Sequence, residues 1–417
     1  MTHQPLLLTP DVLVIGAGPA GLTAAAELAA DHGGKVLVVD REPAAGGVPR
    51  HSDHTGYGLR DLHRVLSGPA YSRLLVGRAA AAGAEIRTRT TVTGWSDGDT
   101  VEVTSPEGRY RIRAKAIVLA TGARERPRTA RRVPGDRPDG VLTTGQLQNL
   151  VHLHHRPVGK RAVIVGGELV SWSAALTLRE AGCTPALMIS EHPKAESYGV
   201  FNAAGRTALR VPVATRSRVT RIIGKTRCEA VEIEHLDTGR RRTVACDTVV
   251  FTGDWIPDHE LARAAGLTLD PGTLGPLTDT ALRTSRPGIY AAGNLLHPVD
   301  TADIAALDGR HVAEQIRRDL HGENQPTDGV RLIANEPFRW ITPQILRPGD
   351  PAPPRGRLLL WTDTFIRFPK ITVRQDAGTV ATRRLPWPAA PGRAFRIPST
   401  LLNDVSPRGG PVHVGVE

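Results

Sequence analysis

The glycines at positions 16, 18 and 21 have the spacing of a turn that approaches a phosphate group. They follow the apolar run Val12–Ile15 and precede an alanine-rich segment, which is the order strand, turn, helix. Gly16 permits a tight turn, Gly18 lets the backbone approach a pyrophosphate, and Gly21 lets the helix pack on the strand. Asp40 ends the next apolar run, where a carboxylate is expected to bind a ribose hydroxyl. The segment therefore predicts a dinucleotide site at a helix N-terminus.

The same order of elements recurs later in the chain. Ala162–Val165 is an apolar run that ends in Gly166-Gly167, and an alanine-rich helix and another strand, Pro185–Ser190, are expected to follow. Two more apolar runs end in glycine turns, at Ala120-Thr121-Gly122 and at Gly293-Asn294. The chain is therefore expected to contain two related dinucleotide-type folds.

Other segments connect and extend these folds. Residues 57–82 are expected to be helical because Leu59, Leu62, Val65 and Leu66 have helical spacing. Alternating segments near 85–93 and 101–112 predict an antiparallel hairpin set. A helix is expected from Thr301, an N-cap candidate, to about residue 320. Beyond residue 326 the chain is rich in proline and in short strand-like runs, which is typical of a mostly β module.

Charge and cysteine content exclude several classes of protein. The 417 residues carry a formal net charge of +11, but the basic residues are dispersed, so no nucleic-acid partner is expected and an acidic protein partner fits better. No apolar run approaches the roughly 18 residues of a membrane span and no signal peptide is evident, so we expect no membrane association and a cytoplasmic protein. Cys183, Cys228 and Cys246 are widely spaced, which predicts no disulfide framework, no metal site and no redox pair.

The order of these motifs resembles the FAD-dependent flavoproteins of the pyridine nucleotide-disulfide reductase-like superfamily. The resemblance is carried by the glycine turn at Gly16, by Ala120-Thr121-Gly122 and by Gly293, and it covers residues 10 to 320. It implies an α/β fold of two Rossmann-like dinucleotide-binding domains, the second inserted in the first, with a C-terminal mostly β module. The expected limits are 1–128 and 262–325 for the FAD-binding domain, 129–261 for the NAD(P)-binding-like domain and 326–417 for the module.

The resemblance also implies FAD as the cofactor. Asn294 stands where the family has an acid that binds the ribityl chain, and an amide still forms hydrogen bonds with a hydroxyl. The helix from Thr301 is expected to direct its positive end at the flavin. No metal site and no catalytic base or nucleophile is assigned. The FAD-binding residues that the resemblance implies are Gly16, Gly18, Pro19, Ala20, Gly21, Asp40, Arg41, Gly47, Arg50, Val92, Ala120, Thr121, Gly122, Gly293, Asn294, Thr301 and Ala302.

The segment after Asp40 resembles the glycine turn of the glutamate synthase small-subunit-like branch of this superfamily. That resemblance implies that Gly47 and Arg50 lie along the FAD. His51 and His54 follow and are candidates to relay a proton to flavin or substrate, with ordinary loop histidines as the alternative. Tyr57 and Trp255 are candidates to stack near the flavin, with packed aromatic side chains as the alternative.

The second domain departs from the family pattern at its nucleotide turn. Glu168 stands where a glycine normally lets the backbone reach the NAD(P)H pyrophosphate, and a carboxylate that points inward repels phosphates. We expect NAD(P)H binding to be weakened or lost, with an outward Glu168 and retained binding as the alternative. The redox disulfide of the family is also missing, and Cys183 is expected to be a small buried residue.

Two enzymatic functions remain open. The first is an FAD-dependent oxidoreductase that receives a hydride at flavin N5 from a small amine- or imino-acid-type substrate, similar to the FAD subunits of opine oxidase, hydrogen cyanide synthase and hydroxyproline dehydrogenase. It would need a second subunit or an electron-transfer partner. The alternative is an NAD(P)H-dependent reductase of a small electron carrier such as a ferredoxin-like protein. A third reading, a flavoprotein that has become a scaffold, is disfavoured by the intact first glycine turn.

Overall fold

The computed structural model describes residues 6–32, 34–322 and 328–417, and the chain forms two compact units. The first unit contains the residues up to Arg50, Gly56–Ala123 and Pro257–Glu417. The second contains His51–Thr55 and Arg124–Ile256. The second unit is thus inserted in the first, as the fold class predicted. Within the described residues, no helix is both long and apolar enough to cross a bilayer.

The chain up to Glu125 alternates strands and helices and then forms a meander. Its strands are β1 Leu7–Leu8, β2 Val12–Ile15, β3 Val36–Val39, β4 Thr55–Tyr57, β5 Leu66–Ser67, β6 Glu85–Arg87, β7 Thr91–Asp97, β8 Thr100–Ser105, β9 Gly108–Arg113, β10 Ala116–Leu119 and β11 Ala123–Glu125. Its helices are α1 Pro19–His32 and α2 Gly68–Ala81.

The middle segment repeats the alternation. Its strands are β12 Val141–Thr143, β13 Arg161–Val165, β14 Thr184–Ile189, β15 Val213–Ala214, β16 Ser217–Ile223, β17 Ala230–His235, β18 Arg241–Ala245, β19 Thr248–Phe251 and β20 Trp255–Pro257. Its helices are α3 Thr144–Gln148, which continues as a π-helical turn over Asn149–Leu153, α4 Leu169–Glu180 and α5 Gly199–Ala208.

The last segment completes the first unit and adds the C-terminal module. Its helices are α6 Glu260–Ala264 and α7 Ala302–Leu320. Its strands are β21 Ile289–Ala291, β22 Val330–Ala334, β23 Phe338–Thr342, β24 Ile345–Leu346, β25 Arg357–Thr362, β26 Lys370–Gln375, β27 Gly378–Arg384, β28 Phe395–Pro398 and β29 Val412–Val416.

A parallel five-stranded sheet forms the centre of the first unit. Its strand order is β21-β10-β2-β3-β6, and β2, β3 and β10 are buried throughout because helices and loops cover both faces. Gly309 brings α7 against α1, since a Cβ there would lie 2.2 Å from the carbonyl oxygen of Ala20. The sheet order reverses at β2, so a crevice for a ligand is expected beyond the carboxyl ends of β2 and β10.

The second unit has its own parallel sheet of order β12-β19-β13-β14-β15 and an antiparallel sheet β16-β17-β18. The C-terminal module has a five-stranded sheet, β24-β22-β29-β26-β27, and a three-stranded sheet, β23-β25-β28, that share one apolar core. The antiparallel pairs β7-β8 and β8-β9 confirm the predicted hairpin set, except that residues 85–87 form β6, which pairs in parallel with β3 in the central sheet.

The predicted helix over residues 57–82 is wrong in its first half. Helix α2 begins only at Gly68, with Ser67 in extended conformation before it and Pro69 in its first turn. Gly58 and His63 have positive φ values of 80° and 53°, which no helix accommodates. The helical spacing of the leucines was therefore coincidental, and the loop exposes Leu59 and Val65.

Candidate functional site

The turn after β2 leaves one face of its backbone open at the end of the sheet. Gly16 has a φ of 108°, and a Cβ there would lie 2.4 Å from the carbonyl oxygen of Ala120. A Cβ at Gly21 would lie 2.0 Å from the carbonyl oxygen of Gly16, so α1 packs directly on the turn. By contrast, a Cβ at Gly18 would meet nothing within 4 Å. This open space and the first N–H groups of α1 form a cradle that suits a pyrophosphate.

Asp40 lies after β3, beside this cradle. Its Oδ2 accepts the N–H of Ala17 at 2.6 Å, and its Oδ1 accepts the N–H of Glu42 at 2.8 Å. Each carboxylate oxygen keeps a further lone pair, so the group retains acceptor capacity for a ribose hydroxyl. The N–H of Thr90 donates to the carbonyl of Asp40 at 2.8 Å, which brings the start of β7, with half-buried Val92, next to Asp40.

The Gly46-Gly47 turn lies against the first turn. The N–H of Gly46 donates to the carbonyl of Ala17 at 2.8 Å, and a Cβ at Gly47 would lie 2.8 Å from the Cα of Gly18. Arg50 follows in the same turn, where its N–H donates to the carbonyl of Gly47 at 3.1 Å. Its Nε is buried and has no hydrogen-bond partner among the described residues. A guanidinium with a spare buried donor suits an anionic phosphate oxygen.

Asp258 holds the Ala120-Thr121-Gly122 turn in place. The hydroxyl of Thr121 donates to the carbonyl of Asp258 at 2.8 Å, and the N–H of Asp258 donates to the carbonyl of Gly122 at 2.9 Å. Arg41, which is 64% exposed, donates to the Asp258 carboxylate at 3.1 Å. The sequence pointed to Arg41 and to the turn but missed Asp258, because no spacing rule links positions so far apart.

The turn after β21 presents an amide with one unused oxygen. Gly293 has a φ of 74°, and a Cβ there would lie 2.8 Å from the Cβ of Ala20 in α1. The Asn294 Nδ2 donates to the carbonyl of Asp300 at 2.9 Å. The Asn294 Oδ1 is buried and lacks a hydrogen-bond partner in the described part of the chain. Asn294 can therefore accept a hydrogen bond from a hydroxyl group, and the ribityl chain of FAD carries such groups.

The start of α7 is built around a buried acid that the sequence reasoning missed. Thr301 occupies the predicted N-cap position, but its hydroxyl donates to the Asp303 carboxylate and caps no helix N–H. Asp303, only 2% exposed, accepts the N–H of Ile304 at 3.0 Å. Arg60 donates to it through its backbone N–H at 3.1 Å and its guanidinium at 3.2 Å. Half-buried Ala302 begins the helix between these groups.

The first unit therefore contains a set of groups that fits FAD. The open face at Gly18 leaves room for the pyrophosphate, and the unpartnered Nε of Arg50 is a donor for it. Asp40 offers acceptors to the ribose, and the unpartnered Oδ1 of Asn294 offers one to the ribityl chain. Buried polar atoms without partners are rare in folded proteins, so atoms of this kind point to a bound group.

The other candidates for the flavin site have structural partners. The carbonyl of His51 accepts a hydrogen bond from His152 Nδ1 at 2.6 Å, and His54 Nδ1 lies 2.8 Å from the carbonyl of Thr55; all of these residues belong to the second unit. Tyr57 packs against Tyr71 with ring centroids 5.8 Å apart. A role for these side chains, or for Trp255 in β20, next to the flavin stays a prediction.

The corresponding turn of the second unit is filled by a carboxylate. Glu168 precedes α4, and its Oε2 accepts hydrogen bonds from the hydroxyls of Ser171 at 2.9 Å and Thr252 at 3.1 Å. A Cβ placed at Gly166 would lie 2.6 Å from this oxygen, and one at Gly253 would lie 2.3 Å from Oε1. The carboxyl group therefore points inward, onto the glycine turn, and occupies space that Gly18 leaves open in the first unit.

Two more acids are buried around this turn. A Cβ at Gly167 would lie 2.1 Å from Oε2 of Glu196, which also accepts the hydroxyl of Ser190 at 3.0 Å. Burial raises the pKa of both Glu168 and Glu196, and the charge of Glu168 raises the pKa of Glu196 further. Burial likewise raises the pKa of Glu125 to about 7. The turn is thus rich in carboxyl groups rather than in phosphate-binding donors.

The three cysteines are all buried and unbonded. Burial raises the pKa of Cys183 to about 12, which agrees with the expected small buried residue. Cys228 and Cys246, far apart in sequence, meet in the core of the second unit with their sulfurs 4.0 Å apart. The sequence spacing did not reveal this contact in the core.

Comparisons with known proteins agree with this arrangement. The model of the pyridine nucleotide-disulphide oxidoreductase family matches residues 10–309. The chain belongs to this family. Members of this family are FAD-dependent oxidoreductases, and FAD is the cofactor of this chain. NAD(P)H is the usual second substrate in the family, which makes the Glu168 turn a departure from it.

This family member is 28% identical over 342 residues to one subunit of the opine oxidase of Agrobacterium tumefaciens (strain Ach5), a match that covers 73% of the chain and 64% of that protein. It is also 28% identical over 367 residues to the alpha subunit of the sarcosine oxidase of Rhizobium meliloti (strain 1021), covering 81% of the chain and 33% of that protein. The chain thus spans less than two thirds of the length of these relatives. The thioredoxin reductase of T. acidophilum, 23% identical, has the same fold over 75% of this chain and 99% of its own, with a TM-score of 0.62.

Proposed function

We propose that the protein is the FAD-binding subunit of an oxidoreductase that oxidises a small amine- or imino-acid-type substrate and does not take its electrons from NAD(P)H. The observation that carries this proposal is the inward carboxyl group of Glu168. The proposed FAD-binding residues are those named above, from Gly16 to Ala302, in the first unit.

Glu168 opposes the binding of a pyridine nucleotide in two ways. When ionised, its charge repels a pyrophosphate, and two unit charges 4 Å apart interact by about 4 kcal/mol at the effective dielectric constant of a protein surface. When protonated, its side chain still fills the turn between Gly166 and Gly253, so the phosphates lose their access to the backbone N–H groups. Ser171 and Thr252 hold the carboxyl group in this position through two hydrogen bonds. Either protonation state therefore disfavours NAD(P)H.

The relatives support an amine-bearing substrate. The matching subunits of opine oxidase and of sarcosine oxidase each align with more than 70% of the chain. Sarcosine and the opines are N-substituted amino acids, so one chemical class covers both names. Because these relatives are named as parts of larger enzymes, a second subunit or an electron-transfer protein is part of the proposal.

The residues of the chain bind and orient while the cofactor carries the redox chemistry. Bound FAD supplies a two-electron acceptor at N5 for a hydride from the substrate. Gly16 and Gly18 would admit the pyrophosphate, and the unpartnered Nε of Arg50 would donate a hydrogen bond to it. Asn294 and the N-terminal end of α7 hold the ribityl and pyrimidine parts, where donors and a positive helix end stabilise added negative charge.

An anaerobic spectral titration tests the proposal. The FAD-loaded protein is mixed separately with NADH, NADPH, sarcosine, proline and an opine, and the flavin absorbance near 450 nm is followed. We expect an amine to bleach the band and the nicotinamides to leave it oxidised. Rapid bleaching by micromolar NADH or NADPH would overturn the proposal and favour the reductase of an electron carrier.

The variant Glu168→Gly tests the observation itself. It restores the open turn, so we expect NADH to bind at least ten times more tightly than to the wild type, measured by fluorescence quenching. Glu180→Gly, an exposed change at the end of α4, is the matched control and leaves NADH affinity unchanged. If Glu168→Gly gains no affinity, the carboxyl group is not what excludes the nucleotide.

A further inference from the structure

A histidine with one unused ring nitrogen is buried between β21 and α7. His297 is 3% exposed, and its Nε2 lies 2.5 Å from Oδ2 of Asp308 in α7. Its Nδ1 is buried, has no hydrogen-bond partner in residues 6–32, 34–322 and 328–417, and lies 3.9 Å from Oδ2 of Asp300. The Asp308 contact fixes the ring and makes Nδ1 the nitrogen that can gain or lose a proton.

Two polar atoms near His297 in the chain also lack hydrogen-bond partners in the part that the structure describes. Asn294 Oδ1 and Asp300 Oδ2 are also buried without hydrogen-bond partners among the described residues. All three atoms belong to the nine residues that run from the Gly293 turn to Thr301, the start of α7. Because unpaired buried polar atoms are costly, a bound group or water is expected to satisfy them. Asn294, part of the proposed flavin site, donates to the carbonyl of Asp300 at 2.9 Å, and the N–H of Asp300 donates to the carbonyl of His297 at 3.3 Å, so hydrogen bonds connect these residues to that site.

The fixed charges around His297 cancel. Asp308 binds the guanidinium of Arg355, and Asp300 binds that of Arg396, both from the C-terminal module. Burial alone raises the pKa of Asp308, but the charge of Arg355 outweighs burial and holds this pKa well below its ordinary value, so this carboxylate stays ionised. Two acids and two arginines leave no net charge, and a proton on His297 is the variable that remains.

A second histidine nearby serves as a contrast. His311 lies one turn beyond Asp308 in α7, and its Nε2 lies 2.8 Å from the carbonyl of Thr280. Burial lowers the pKa of His311 below its ordinary value, despite the charge of Asp308. His311 therefore stays neutral near pH 7, while His297 has one carboxylate in direct contact and a second one near Nδ1.

We propose that His297 holds the proton that compensates reduction of the flavin site. Oxidation of the substrate breaks a C–H bond and delivers its two electrons and one proton to the site as a hydride, which adds one negative charge. One proton from solvent then binds Nδ1 of His297, between Asp300 and Asp308, and returns to solvent when the site is reoxidised. The proposal rests on the proposed flavin site, and it assigns His297 to proton storage and Asp308 to positioning.

A redox titration as a function of pH tests this role. The FAD-loaded protein is reduced with dithionite between pH 5.5 and 8.5, and the midpoint potential is measured for the wild type, His297→Gln and His311→Gln. A tenfold change in proton activity changes a two-electron potential by about 30 mV per proton taken up. Within the pH interval where His297 takes up its proton, we expect His297→Gln to lose up to this amount per pH unit from the slope. We expect His311→Gln to keep the wild-type slope.

The outcomes separate the two proposals. An unchanged slope in a His297→Gln protein that still binds FAD overturns the role of His297 and leaves the proposed function intact. Failure of the wild type to bind FAD, visible in its spectrum before titration, overturns the flavin site itself. If His297→Gln does not fold, Asp308→Asn is used instead, because loss of the carboxylate weakens proton binding at His297. The extra proton uptake must then move to lower pH, and an unmoved profile overturns the proposal.

Discussion

Replacement of Arg355 by methionine removes one partner of a buried ion pair that joins the C-terminal module to α7. Asp308 is 2% exposed and Arg355 is 18% exposed, so neither charge is well solvated. Removal of one partner of a buried pair costs about 3–5 kcal/mol, because the other charge remains buried. His297 stays on the opposite oxygen of Asp308, so we expect a cost near the lower end, about 3 kcal/mol. Methionine leaves the strain at this position unchanged, since it keeps a Cβ at the φ of 61°.

Urea unfolding followed by tryptophan fluorescence measures this loss. Trp340 and Trp361 stack in the C-terminal module, with ring centroids 6.1 Å apart, so the transition that contains the module is visible. Arg318→Met is the matched control, because its pair with Glu314 is exposed and contributes less than about 1 kcal/mol. A double variant with Asp308→Leu should regain part of the loss, since it removes the unpaired charge but also removes the partner of His297 Nε2. If Arg355→Met is no less stable than Arg318→Met, the pair is not a buried ion pair in solution.

Three further outcomes are expected. Gly18→Val should abolish FAD binding with little loss of stability, because the new side chain enters open space. Gly21→Val should unfold the domain, because its Cβ would clash with the carbonyl oxygen of Gly16. Equal stability of the two variants in thermal denaturation would contradict this geometry. Arg50→Met should weaken FAD binding by about 1.5–3 kcal/mol, the value of a hydrogen bond to a charged group, and an unchanged Kd would remove Arg50 from the site. In the folded protein Glu125 stays protonated up to about pH 7, whereas in the unfolded chain it loses the proton near its ordinary pKa. The free energy of unfolding should therefore fall by about 3 kcal/mol as pH rises from 4.5 to 7. Glu125→Gln should remove that pH dependence, which urea titrations at several pH values would show.

The sequence predicted the parts of the site that depend on local backbone geometry. The glycine turn after β2, the second glycine turn at Gly46-Gly47 and the later strand ends are recognisable because spacing alone determines what their backbones can do. The alternation of strands and helices predicted the two sheets for the same reason. The domain limits and the individual FAD contacts stay predictions.

The groups that hold these turns in place were not predictable. Arg60 pairs with Asp303, which lies 243 residues further along the chain. Arg396 pairs with Asp300, which lies 96 residues before it. No periodicity connects such positions, because they meet only when the sheet and the C-terminal module have packed. The wrong helix over residues 57–82 has a related cause, since leucine spacing describes an amphipathic face but not the left-handed backbone at Gly58.

The two glycine turns of the chain share one backbone motif, and the proposed function assigns them opposite ligand preferences. Both follow a buried parallel strand and precede a helix, so both offer N–H groups and a positive helix end to an anion. In the first unit, Gly18 leaves that end open and Arg50 adds a donor. In the second unit, Glu168 covers it, and Glu196 adds a second buried carboxyl group. Under the proposed function, the backbone sets where a dinucleotide is able to bind, and one or two side chains decide whether it does.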